Sequence, residues 1–240
     1  MVENELDFAF RVFTGRTVPP KISTKLIGVE NADEVRKRIL ADPEMFFAVP
    51  ELRLAFEITE IRKARASGTI RLVIGAAGTS FPGWVSTNEN LFNLLRPETW
   101  LAWIDENSVD AMLSEHVWEH LDADEGKTAA TTCYRFLKSG CRLRIAVPDA
   151  LMPDPVYRDL CKVGGRDGHK VFYDYRSLSN TLKAVGYDVH LLEYFDEDGK
   201  FHENPWDPKD GHIGRCRRFD PRNSGDDIKY TSLIVDAIKH

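Results

Sequence analysis

The sequence predicts an α/β fold: a doubly wound, mostly parallel sheet covered on both faces. Two observations lead there. Short apolar runs rich in β-branched residues recur from residue 70 onward, and helix-like stretches closed by glycine lie between them. The apolar runs are nearly continuous rather than alternating, as in strands buried on both sides.

Residues 1–68 read as a helical extension ahead of the α/β domain at 69–240. "NADEVRKRIL" (31–40) opens on Asn31, a good N-cap, and places Val35, Ile39 and Leu40 on one side. "PELRLAFEITEIRKARASG" (50–68) distributes Leu52, Leu54, Phe56, Ile58 and Ile61 among charges and ends at Gly68, a suitable C-cap. "IRLVIGAAG" (70–78) is then a buried strand feeding a tight glycine loop. "SVDAMLSEH" (108–116) and "CRLRIAVPDA" (141–150) are further strands, and "DEGKTAATTCYRFLKSG" (124–140) between them is a helix closed by Gly140. "RSLSNTLKAVGYDVHLLEYF" (176–195) is a helix, a stop at Gly186 and a strand; "IKYTSLIVDAIKH" (228–240) is the terminal strand. The polar insertion 196–229 separates these last two strands, and its Asp-Gly turn signal makes "LLEYFDEDGKFHE" a hairpin. A loop of that length in a compact domain is usually functional or disordered.

Composition narrows the function. The 240 residues are 42% hydrophobic and 29% charged, with net charge −6, so no general basic field gathers nucleic acid. No apolar run reaches membrane-spanning length and no signal-peptide pattern opens the chain. The four cysteines form no C-x-x-C pair. A cytoplasmic protein with reduced thiols is expected, without a nucleic-acid or membrane partner.

In open α/β sheets ligands gather beyond the carboxyl ends of the strands, so the loops after Ile74, Leu113 and Val147 matter most. The middle one contains "SEHVWEHL" (114–121), where His116, Glu119 and His120 spell the H-x-x-E-H of an inverted zinc peptidase. In that reading both imidazoles bind metal, Glu119 activates water and a distant acid such as Glu193 completes the set. A peptidase needs both histidines on a long helix. Here "VDAML" runs as a buried strand straight into Ser114, which puts His116 at a strand-to-helix junction, and no metal site is expected.

Three blocks, "RLVIGAAGTSFPGWVSTN", "SVDAMLSEHVWEHL" and "YRFLKSGCRLRIAVPD", together with the tail "YFDEDGKFHENPWDPKDGHIGRCRRFDPRN", resemble class I S-adenosylmethionine-dependent methyltransferases. The nearest pattern is a bacterial predicted-methyltransferase subgroup with a shortened N-terminal half. The resemblance covers roughly residues 70–240. It implies a Rossmann-like, seven-stranded sheet with an antiparallel last strand, and S-adenosylmethionine as cofactor. It also implies methyl transfer to a small-molecule or glycan-linked acceptor.

The same resemblance assigns residues. Gly75, Ala76 and Gly78 form the cofactor loop, because missing side chains let backbone approach a ligand. Asn88 stands where the family has a ribose-gripping acid, with Glu89 a substitute if the register slips by one; Asn93 occupies the place of a second acid. Asp105–Asn107 matches an adenine-contacting segment. Glu115 and His116 reach the transferable methyl, Glu115 contacting the cofactor and His116 able to act as a base near neutral pH. An acidic acceptor would meet Arg215, Arg218 and Arg222, since guanidinium forks suit carboxylates and phosphates, and Tyr173 would line its pocket. The alternatives are transfer or cyclisation of the cofactor's aminobutyrate arm, a binding protein without catalysis, and the zinc hydrolase.

Overall fold

The computed structural model describes residues 50–225 and 227–240. The helix expected over 31–40 lies outside them. Helix α1 (Pro50–Ser67) ends as expected at Gly68, which turns left-handed at φ +77°. The chain continues through β1 (Arg71–Ile74), β2 (Val85–Ser86), α2 (Pro97–Leu101), β3 (Val109–Glu115), α3 (Ala123–Phe136) and β4 (Leu137–Pro148). Then come α4 (Pro155–Cys161), α5 (Tyr175–Lys183), β5 (Tyr187–Phe195), β6 (Phe201–Glu203) and β7 (Ser232–Lys239).

The seven strands make one sheet in the order β2-β1-β3-β4-β7-β5-β6. β2, β1, β3 and β4 pair in parallel, and the last strand, β7, inserts antiparallel between β4 and β5. The predicted hairpin is present as β5–β6, with Phe195 opposite Phe201 and Gly199 at φ +72° in its turn. The chain leaves β1 toward β2 on one side and reaches β3 on the other, so the switch point lies at the carboxyl ends of β1 and β3.

Pleating sends alternate residues to opposite faces. Leu72, Ile74, Met112, Leu143, Ile145, Val147, Leu233 and Val235 enter one core, completed by Ile61 of α1, Ala129 and Phe136 of α3, and Leu178 and Leu182 of α5. Val73, Leu113, Ala146 and Ile234 point the other way and meet Trp206, Ile213 and Cys216. The polar insertion therefore covers the second face. Buried polar groups hold its described residues there.

Arg144, fully buried, faces Asp236 directly across β4–β7 and donates to both its carboxylate oxygens at 2.7 and 2.8 Å. Its remaining donor reaches the carbonyls of Asp207 and Gly211 at 3.0 and 2.7 Å. Buried Glu193 accepts from Trp206 Nε1, Arg217 N and Thr231 Oγ1. Burial holds its carboxyl above the usual range despite those donors. Backbone in this layer that would otherwise lie unpaired on a sheet is thus satisfied by charges planted on the strands.

Helix α3 starts on a capping box, with Asp122 accepting from Glu125 N and Glu125 reaching back to Asp122 N. It does not run to Gly140 as the glycine signal suggested. It stops at Phe136, because fully buried Leu137 already pairs with Val109 of β3. The pairing then jumps to Ala111 opposite Arg142, and Gly140 sits at φ +76° in the bulge between.

Candidate active-site cleft

At the switch point a cleft opens with two adjoining lobes, of about 570 and 460 Å³, that share Ile74, Gly75, Ala77, His116 and His120. The glycine loop after β1 and the acid–imidazole segment after β3 therefore open into one space, although they are far apart in sequence.

The loop is shaped from within. Gly75 has φ +61°, and a Cβ there would lie 2.5 Å from Val117 Cγ2, so the turn admits no side chain. Ala76 N donates to Thr87 O and Ala77 N to Asn88 Oδ1, which ties the loop to the end of β2. Asn88 in turn donates through Nδ2 to Glu57 Oε1 at 2.6 Å. Glu57 belongs to α1 and is 1% exposed; burial is the main cause raising its carboxyl above the usual range, against the Asn88 bond and the nearby Arg53 charge. Asn88 thus spends a donor and an acceptor on the scaffold, while Glu89, exposed, lines the second lobe beside Phe92, Leu94 and Leu121. Asn93 lines that lobe too, with its Oδ1 accepting from Leu95 N.

Three non-glycine residues among those described have positive φ, and two of them, Ala77 and His116, line the cleft. His116 (φ +58°) hands its ring to a relay: Nε2 lies 2.9 Å from Ser232 Oγ, which donates to Arg215 O at 2.7 Å. Since that hydroxyl has one hydrogen, Nε2 carries its own and donates it. Nδ1 lies 3.1 Å from Glu119 Oε1, out of line for a hydrogen bond. Glu115 accepts from Gly214 N and Arg215 N at 3.1 and 2.8 Å, clasping the insertion onto the end of β3.

Other assigned residues fall elsewhere. Ala76 lines the first lobe, but Gly78 is exposed and lines neither. Of the three arginines, only Arg215 faces the cleft. Arg218 lies 5.0 Å over the Trp206 ring, and Arg222 forms a two-pronged pair with Asp220 at 2.8 and 2.6 Å, so both brace the insertion. Tyr173, 3% exposed, packs in the core, with burial pushing its hydroxyl up to about 12. It lines neither lobe because α3 approaches it: a Cβ on Gly126 would sit 2.8 Å from its hydroxyl. Asp105–Asn107 precedes β3, at the amino end of that strand and so at the end of the sheet opposite the cleft, where Asn107 accepts from Lys239. The H-x-x-E-H geometry also fails: Trp118–His120 is a single 3-10 turn after a strand, and His116 turns to Ser232 while His120 is exposed. Glu193 is bound up with the insertion, as described above.

Reading the sequence missed Glu57 and Arg53 from α1, and Asp167 and His212 from later loops, all at or behind the cleft. A carboxylate within an apolar helix face was the one available signal, at Glu57.

No family model matches this chain, and no curated protein matches it. Among solved structures it is similar to a SAM-dependent methyltransferase, possible histamine N-methyltransferase, from Thermotoga maritima. That likeness has 14% identity, covers 85% of this chain and 97% of the other, and has a TM-score of 0.46. It is also similar to a SAM-dependent methyltransferase from Archaeoglobus fulgidus, at 16% identity, 76% and 94% coverage and a TM-score of 0.45. A third, from Mesorhizobium loti, shares 12% identity over 74% and 96% of the two chains, with a TM-score of 0.42. At these identities and scores, the assignment of the fold rests on strand order and register.

Proposed function

We propose that the chain is an S-adenosylmethionine-dependent methyltransferase acting on a small-molecule or glycan-linked acceptor. The observation that carries this is the single cleft at the switch point, walled by the Gly75 turn, by Asn88 and Glu89, and by Glu115 and His116. The resemblance to the bacterial methyltransferase subgroup agrees with it, and the unit concerned is 69–240 with α1 as one wall.

The residues suit that cofactor. Backbone at 75–77 faces the cleft without a side chain at Gly75, so it can approach an amino-acid tail. The second lobe joins a carboxylate, Glu89, to the apolar Phe92, Leu94 and Leu121, the pairing a ribose and a base require. Glu89 takes the ribose-holding role, since Asn88 is committed to Ala77 and Glu57. When bound, the cofactor supplies an electrophilic methyl group on a sulfonium.

Glu115 acts as a positioning residue, through its hold on Gly214 and Arg215. His116 shapes the junction between the lobes, and Arg215 offers a cation to an acidic acceptor. Alignment and exclusion of water are the main means by which such a cleft accelerates a displacement.

Calorimetric titration with S-adenosylmethionine and S-adenosylhomocysteine tests the reading: saturable one-to-one binding is expected, and absence of binding by both overturns it. In turnover with a cell extract, S-adenosylhomocysteine is the expected product, whereas methylthioadenosine would point to the aminobutyrate-arm reaction.

A further inference from the structure

In the first lobe, Glu119, His120 and His169 each place one ligand atom within 4.8 Å of the others. We infer that these three residues hold a first-row divalent metal ion, with Zn²⁺ the first choice. The ion's open positions face the lobe, where they take an oxygen donor of the acceptor, a hydroxyl or a carboxylate.

The donors are prepared for this. Glu119 is 1% exposed; His116 Nδ1 lies 3.1 Å from its Oε1, yet neither carboxylate oxygen accepts a hydrogen bond from any described residue. A buried carboxylate left so is costly, and a cation beside it removes the cost. His169 is 7% exposed and its Nδ1 lies 2.9 Å from the carbonyl of Cys161. A carbonyl only accepts, so Nδ1 carries the hydrogen and Nε2 is left as a bare lone pair. Metal-binding histidines are oriented in this way, by a backbone carbonyl on the other ring nitrogen.

The backbone brings the ligands together. Lys170 N and Val171 N both donate to the carbonyl of Glu119, at 2.7 and 3.2 Å, stitching the His169 segment to the turn that carries Glu119 and His120. His120 is exposed and its ring centroid lies 5.1 Å from that of His169, so a modest rotation of the exposed ring closes the set. Two imidazoles, one carboxylate and open positions form a donor set typical of catalytic zinc or non-haem iron. It is a different set from H-x-x-E-H: His116 is outside it, and the third ligand, His169, comes from a distant loop that the H-x-x-E-H spacing does not include.

The metal site stands whether or not the methyltransferase reading does, only its contact with the acceptor rests on that reading, and the test needs no cofactor. The full chain is stripped with a chelator and titrated with Zn²⁺, with Co²⁺ and with Mn²⁺. One Zn²⁺ per chain should bind, Co²⁺ should develop d–d absorption bands, and Zn²⁺ should raise the melting temperature. H120A and H169A should each weaken Zn²⁺ binding by at least about 100-fold, the upper end of what losing only an outer-shell partner costs, and abolish the thermal shift. H190A, an exposed histidine remote from the cleft, should bind as the parent does. Because His120 is exposed, H120A decides the matter should H169A fail to fold. No one-to-one binding of any of the three ions to the parent, or H120A binding Zn²⁺ like the parent, overturns the inference.

Discussion

Glu57 accepts a 2.6 Å hydrogen bond from the amide of Asn88, which joins the helix preceding the sheet to the rim of the cleft. Installing the missing acid there should therefore harm the protein. N88D sets two carboxylates against each other in a buried site, and a loss of about 2–3 kcal/mol is expected from like-charge repulsion and the lost bond. E57Q/N88D reverses donor and acceptor and should recover most of it. Urea denaturation of the two single variants and the double checks this; additive effects would show that the pair is not coupled.

Gly75→Ala forces a side chain to φ +61° and sets its methyl 2.5 Å from Val117 Cγ2. The left-handed conformation alone costs about 1 kcal/mol in an L-residue, and the clash adds to it. G75A should lose cofactor binding more than stability. Adding V117A should return the part due to the clash and leave the part due to φ, as read by parallel calorimetry and denaturation.

Glu115→Ala frees Gly214 N and Arg215 N. Hydrogen bonds to a charged acceptor contribute about 1.5–3 kcal/mol each when buried, and this carboxylate is partly exposed, so a total near 2 kcal/mol is expected. Amide hydrogen exchange should speed up at those two positions while β3 stays protected. Unchanged exchange there would remove Glu115 from its clasping role.

Asp236→Ala leaves the Arg144 guanidinium buried without its carboxylate. Breaking one side of such a pair costs about 3–5 kcal/mol, and here it also loosens the layer at Asp207 and Gly211. R144M/D236L should be more stable than D236A by chemical denaturation, because it removes both charges at once.

Asp149, fully buried, closes β4 onto β5: it accepts from Leu151 N and Phe195 N. Burial outweighs those two donors and pushes its carboxyl up to about 6 from 3.8, with the Asp174 charge adding to the rise. The folded chain then holds this proton more tightly than the unfolded one. Its contribution is present in full below pH 4 and is lost as pH rises to about 6, a fall of about 3 kcal/mol at 1.36 kcal/mol per unit. The stability difference between the parent and D149N, followed from pH 4 to 7 by denaturant titration, should change by that amount. A constant difference would mean that Asp149 ionises like an exposed carboxylate.

Strands β1, β3, β4, β5 and β7, helices α1, α3 and α5 and the β5–β6 hairpin were legible in the sequence because each is written locally; the two-residue β2 and the short helices α2 and α4 were not. Buried strands are apolar runs, helices carry caps and end at glycine, and the Asp-Gly turn marks the hairpin. Gly140 misled because a left-handed glycine serves a bulge as well as a helix end, and the pairing of Leu137 with Val109 chose between them. The meeting of Gly75 with His116 was also legible, since strand order at a switch point brings successive loops together.

Contacts between side chains distant in sequence were decided only by the tertiary structure. Spacing within "HVWEH" suggested two histidines acting together, but a strand that ends in one 3-10 turn sends them apart. His169 is delivered to Glu119 by backbone hydrogen bonds from a later segment. The arginines of the insertion looked like an anion site, yet two of them stabilise the layer that covers the sheet, through Trp206 and Asp220. The sequence by itself determined which segments become strands and which loops meet at the cleft, because burial periodicity and turn chemistry act over a few residues. Which side chains face that cleft and which are consumed in holding it together depended on partners 30 to 100 residues away, and local pattern carries no information about those.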